Sequence, residues 1–154
     1  MREAAKRTQA PKPKKKWGYA ANPALVTVRF EVLPDGAHAV TMPIHTKPFA
    51  NGSQGWSRKA GFAIAGEKKR QRKAAREYLF GVGISFRAIH MVRLAPSGGL
   101  DTGNLWNALK AVQDGIADHL EIDDGPKSPA VWTVGQEKTK GVYGVRVEFR
   151  EGVR

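Results

Sequence analysis

The sequence predicts an α+β fold: a single mixed β-sheet with two main helices packed on it. Three observations predict it. Residues 25–33 and 142–150 alternate apolar and polar side chains, as half-buried strands do. Residues 84–95 are mostly apolar, which suits a strand inside a sheet. Leu105, Leu109, Val112, Ile116 and Leu120 recur at spacings of four, three, four and four, which is one buried stripe of an amphipathic helix.

In chain order, Val26, Val28, Phe30 and Val32 share one face of the first strand. Pro34-Asp35-Gly36 is a turn signal, and residues 37–44 return as a second strand ending near Pro43. Residues 47–65 hold several Gly, Ser and Asn and read as a loop carrying Trp56, Arg58 and Lys59. Residues 67–80 read as a helix ended by Gly81 and Gly83. The strand 84–95 follows, then Pro96-Ser97-Gly98-Gly99 and the amphipathic helix. Residues 130–136 and 142–150 read as two last strands, with 137–141 as their hairpin loop. Arg146, Glu148 and Arg150 then form a wet face. The order is β-β-loop-α-β-α-β-β.

At 154 residues the chain is long enough for one domain with a core. Residues 1–24 are expected to be a flexible basic arm and 25–154 the domain. The first 16 residues carry seven Lys or Arg against one Glu, too little apolar surface to order themselves. With no cysteine, disulfides, zinc ribbons and thiol catalysis are excluded, and a reducing compartment is favoured. No apolar run approaches the roughly 20 residues that span a bilayer. Net charge is +12, and a basic surface of that size attracts a polyanion, most often nucleic acid.

The basic charge concentrates on the first predicted helix. Lys68, Lys69, Arg70, Arg72, Lys73 and Arg76 cover it, and like charges three and four residues apart repel by a few tenths of a kcal/mol per pair. A polyanion on this helix relieves that repulsion. Trp56 reads as a side chain closing over the core; the alternative is that it stacks on an unpaired base while Arg58 and Lys59 hold phosphates.

The acids concentrate elsewhere. Six of the 14 Asp and Glu fall between residues 100 and 124: Asp101 before the second helix, Asp114, Asp118 and Glu121 within or ending it, Asp123 and Asp124 after it. Phosphodiester hydrolysis develops charge on phosphorus oxygens, which a divalent ion held by carboxylates neutralises. Lys110, four residues before Asp114, can stabilise the same charge. The residues also admit structural readings: Asp101 as a helix cap, Lys110–Asp114 as a surface pair, Asp123-Asp124-Gly125 as a turn. Acids at the two ends of one helix meet only if the flanking segments return to a common point, which neighbouring strands would allow. His38, His45, His90 and His119 lack ligand spacing and read as structural.

The stretch Leu100-Asp101-Thr102-Gly103-Asn104-Leu105, continuing through Ala108-Leu109-Lys110-Ala111-Val112-Gln113-Asp114 to Ile122-Asp123-Asp124-Gly125, resembles the RusA-type Holliday-junction resolvases of phages and bacteria. The family pattern is Asp-x-Asp-Asn-Leu, a helix with Lys and Asp four apart, and a final Asp-Asp. Trp132, Gln136 and residues 144–147 are similar to the phage branch, and residues 58–76 more loosely to its substrate-facing helix. The resemblance implies a homodimeric, Mg²⁺- or Mn²⁺-dependent endodeoxyribonuclease. It would nick four-way DNA junctions in recombination and repair, in a bacterial cytoplasm. By position, Asp101 matches the first metal carboxylate and Asp124 the third, with Asp123 its alternative. Lys110 matches the catalytic lysine, and Asn104 and Asp114 support the site. Arg58, Lys59, Lys68, Lys69, Arg72, Lys73 and Arg76 match the DNA-binding side. Gly103 departs from the pattern: it stands where the second carboxylate falls and offers no ligand. A resolvase-like DNA-binding protein with weak or no cleavage is therefore the alternative.

Overall fold

The computed structural model describes residues 24–47, 58–81, 83 and 86–151, leaving aside the side chains of 58–60. The elements are β1 (Arg29–Val32), β2 (His38–Met42), α1 (Arg58–Tyr78), β3 (Ala88–Ala95), α2 (Thr102–Leu120), β4 (Val131–Lys138) and β5 (Gly144–Arg150). They form one five-stranded sheet in the order β1-β2-β5-β3-β4. β3 and β4 are parallel and every other pairing is antiparallel. This is the expected α+β fold, with one mixed sheet and two helices.

Both helices lie on the face that carries Val40, Met42, Ile89, Met91, Val145, Val147 and Phe149. The α2 stripe closes over it: Leu105, Leu109, Val112 and Ile116 are buried and Leu120 partly so. From α1 comes Ala75, and from the turn just after it Leu79, both fully buried. The helices approach closely at Gly115, where a Cβ would stand 2.2 Å from the Arg72 carbonyl oxygen and 2.9 Å from the Ala75 Cβ. Glycine at that position lets the two backbones touch.

Four expectations need correcting. α1 starts at Arg58 rather than Glu67, so residues 58–65 are helical and not loop. Gly61 and Gly66 weaken a helix, but Ala60 before them and Ala63 and Ala65 between them are the best helix formers. β4 and β5 do not form a hairpin: α2 carries the chain to the outer side of β3, and β5 then enters between β2 and β3. There its apolar face, Val145, Val147 and Phe149, completes the core. Glu148 is not on a wet face. It is 4% exposed, covered by ion pairs with Arg146 and Arg150. Burial pushes its carboxyl up, but hydrogen bonds from Arg150 and Arg146 outweigh that and hold it below the ordinary value.

The first strand is the last correction. β1 is a sheet edge, pairing with β2 alone and only from Arg29. Phe30 and Val32 share a face with the buried Val40 yet are 58% and 64% exposed. Trp56 and the basic arm before residue 24 lie outside the described residues.

Candidate functional site

β3 ends at Ala95 and the chain crosses to Asp101, which caps α2. The backbone N–H of Asn104 donates to Asp101 Oδ1 at 3.0 Å and the Asn104 side-chain amide to Oδ2 at 2.5 Å. The Asn104 backbone bond is the main reason that the Asp101 carboxyl sits below its ordinary pKa. The approach to the cap is fixed from β4. Gln136 accepts the Leu100 N–H and donates to the Leu100 carbonyl, both at 2.7 Å. A two-point clamp of that kind holds the backbone next to Asp101, and nothing in the sequence pattern marked Gln136 for it.

The far end of α2 turns back on itself. Glu121 is left-handed, φ 54° and ψ 40°, and its N–H and that of Ile122 both close on the Ala117 carbonyl. A non-glycine residue there is uncommon and mildly strained. The reversal sends residues 122–124 along the flank of α2. Gln113 Nε2 donates to the Asp124 carbonyl at 3.1 Å, and the Asp124 carboxylate accepts from Lys110 Nζ. Lys110 also reaches Asp114 at 2.5 Å. One ammonium therefore bridges two carboxylates. Burial pulls Lys110 down, but Asp114 and Asp124 together outweigh this and hold it above its ordinary pKa. The Lys110 hydrogen bond in turn pulls Asp124 below the usual carboxylate range.

β3 and β4 are neighbours, but they are parallel, so the end of β3 and the start of β4 lie at opposite edges of the sheet. Strand adjacency therefore does not bring Asp101 and Asp124 together, contrary to expectation. The reversal after Glu121 does part of that work instead, bringing Asp124 back to Lys110. Asp101 remains at the N-cap, nine residues before Lys110, on the order of 13 Å along the axis. Among the described residues no three His, Asp or Glu form a group able to hold a metal. Each of the three structural readings is also realised: Asp101 caps, Lys110 pairs with Asp114, and Asp123 Oδ1 accepts the Gly125 N–H at 2.7 Å in a turn.

As donors, the acids suit a hard divalent cation. They offer only oxygen, and each carboxylate oxygen has two lone pairs, so one hydrogen bond does not exhaust it. Gly103 leaves room beside them. A Cβ there would meet only Asp101 Oδ1, at an ordinary 3.5 Å, so a carboxylate at 103 would stand next to Asp101.

The basic helix faces the acid–lysine cluster across a shared recess. Lys68, Lys69 and Arg72 of α1 line it together with Lys110, Ala111 and Asp114 of α2. Arg72 forks onto Asp118 at 2.6 and 2.7 Å, tying the two helices at this point. Lys73 and Arg76 continue the basic row, and Arg58 and Lys59 fall in the first turn of α1. Five of the sequence-predicted charged residues, Lys68, Lys69, Arg72, Lys110 and Asp114, thus meet at one α1–α2 groove, with Asp124 joined to it through Lys110 and Asp101 apart from it. Among the described residues no helix is long and apolar enough to cross a membrane. Compared with known families and curated proteins, the chain matches no family model and no curated protein.

Proposed function

We propose that this chain is a divalent-metal-dependent endodeoxyribonuclease acting on branched DNA, in the manner of the RusA-type resolvases that its central stretch resembles. The observation that carries the reading is the recess in which Lys110, bridged between Asp114 and Asp124, opens onto Lys68, Lys69 and Arg72. In this reading the cationic side chains of α1 hold DNA phosphates and bring one to Lys110. Two carboxylates keep Lys110 charged, so it serves as a cation and proton donor to developing phosphoryl charge, not as a base. Asp114 and Asp124 also fix the direction of the lysine. Gln136 and Asn104 hold Asp101 in place. Mg²⁺ or Mn²⁺ would neutralise charge on the phosphorus oxygens; Asp124 and Asp123 would hold it, with Asp101 drawn in from the N-cap of α2 when DNA binds. A homodimer presenting two such sites suits a nearly twofold junction. The exposed Phe30 and Val32 on the edge strand supply apolar surface for a second copy. The bacterial cytoplasm is the compartment that this function implies.

Gly103 and the separation of Asp101 from Lys110 favour a second reading: a junction-binding protein that cuts weakly or not at all. One experiment separates the two. Four-way junction DNA is incubated with Mg²⁺ or Mn²⁺ and wild type, Asp101→Asn or Gly103→Asp. The first reading predicts cleavage by wild type that Asp101→Asn abolishes. The second predicts binding without cleavage by wild type and cleavage gained in Gly103→Asp. Equal cleavage by wild type and Asp101→Asn would remove Asp101 from the mechanism.

A further inference from the structure

Holding phosphates does not explain two side chains, one on the basic helix and one just past its end. Phe62 and Phe80 are 76% and 86% exposed, the most exposed of the large apolar residues described. At about 100° per residue, positions 62, 69, 73 and 76 fall within an arc of about 60° on α1. Phe62 therefore shares its line with Lys69, Lys73 and Arg76. Phe80 follows in the turn beyond the helix, its N–H closing on the Glu77 carbonyl at 3.2 Å, and it borders a recess with Arg76, Glu77, Asp118, His119 and Glu121. Two exposed rings thus bracket three cations along a row about 27 Å long. At Lys69 the row passes the recess that Lys69 and Lys110 line. Its charge is strongly one-sided, since α1 carries eight Lys or Arg against two Glu, one of which pairs with Lys73 at 3.6 Å.

Exposed phenylalanines on a cationic helix have a specific use with nucleic acid. Every base has a π face on which a ring can stack, whatever the sequence, and neighbouring cations hold the phosphates between. In continuous duplex those faces are hidden by stacking and pairing. They become available in single strands and at branch points. We propose that the row on α1 is a docking surface for unpaired bases, with Phe62 and Phe80 stacking on bases and Lys69, Lys73 and Arg76 holding the phosphates between them. The surface would favour branched or single-stranded DNA over intact duplex. This deepens the DNA-directed reading above and rests on it.

The test is fluorescence anisotropy without divalent metal, using labelled oligo-dT, a four-way junction and a blunt duplex of the same arm sequence. The proteins are wild type, Phe62→Ala/Phe80→Ala, the ring-retaining Phe62→Trp/Phe80→Trp and Lys69→Ala/Lys73→Ala. Both phenylalanines are exposed, so their substitution leaves the core untouched. The proposal expects the alanine pair to weaken oligo-dT and junction binding about five- to a hundredfold. Duplex affinity should stay within twofold, and the tryptophan pair should bind like wild type. The lysine pair should weaken all three ligands. Equal losses on all three with the alanine pair, or no loss on any, would overturn it. So would an alanine pair that converts a dimer to a monomer in sedimentation, because a second copy would then cover the row. Wild type that binds oligo-dT through the rings but never cleaves any junction would defeat the nuclease reading and leave this one standing. Wild type that cleaves junctions while the alanine pair binds unchanged would do the reverse.

Discussion

Lys110 and Asp124 are 14 residues apart in sequence, yet the lysine ammonium lies against the aspartate carboxylate. The helix containing Lys110 runs on to Leu120, so this contact exists only because the chain reverses at Glu121 and returns along the helix flank. The same ammonium holds Asp114. Two carboxylates are thus held by this one cation.

Replacing Lys110 by Met leaves Asp114 and Asp124 facing each other without a countercharge. Both partners are partly exposed, so the stability cost is modest, about 0.5–1 kcal/mol. Thermal unfolding should show a fall of a few degrees. Cleavage, if Lys110 stabilises phosphoryl charge, should fall about a hundredfold or more.

The pH dependence of that cost has a definite sign. Hydrogen bonding from Lys110 depresses the Asp124 pKa in the folded state. A depressed carboxylate contributes stability above its unfolded pKa, near 3.9, and loses it as pH falls through the lower folded value. The gap in stability between wild type and Lys110→Met should therefore be full at pH 7 and close below about pH 4. Asp118, held down chiefly by its hydrogen bond from Arg72, should behave likewise when Arg72 is replaced. Urea unfolding at pH 3 and pH 7 checks both. A gap that stays constant would mean that the carboxylates do not carry the effect.

Gly115→Ala should destabilise sharply, by about 2–3 kcal/mol, because the new methyl meets the Arg72 carbonyl and Ala75. Gly103→Ala, with only Asp101 Oδ1 at 3.5 Å, should leave the unfolding midpoint nearly unchanged. Circular dichroism melts of the two proteins make the comparison.

Glu121→Gly should stabilise the fold by about 0.5–1 kcal/mol. Glycine adopts the left-handed C-cap without strain, though it adds freedom to the unfolded chain. Gln136→Ala should cost about 1 kcal/mol by removing the clamp on Leu100. It should lower activity by more than that loss explains, because Asp101 is then less firmly placed. Chemical denaturation and a cleavage time course measure the two effects separately.

The fold was largely legible in the sequence because its signals are local. The Leu105–Leu120 stripe and the alternation of residues 142–150 each report on a single element, and α2 and β5 lie where they point. What is not local leaves no such signal. Neighbours in sequence suggested a β4–β5 hairpin, but strand order depends on which apolar faces complete the core, and β5 belongs between β2 and β3. Alternation alone puts Glu148 on a solvated face, but Arg146 and Arg150 fold over it. At the site, the Lys110–Asp114 pair follows from helical spacing. The return of Asp124 depends on a left-handed glutamate, and the Gln136 clamp on a contact across 36 residues, neither of which has a sequence signature.

The most direct test of the central claim is an anomalous-difference map from a crystal soaked in Mn²⁺ with junction DNA bound. A manganese peak in contact with the Asp124 carboxylate, with Asp101 drawn in as a second donor and Lys110 at the scissile phosphate, is the predicted result. No peak at these acids, with Asp101 still engaged only by Asn104 and Asp124 only by Lys110, would contradict it.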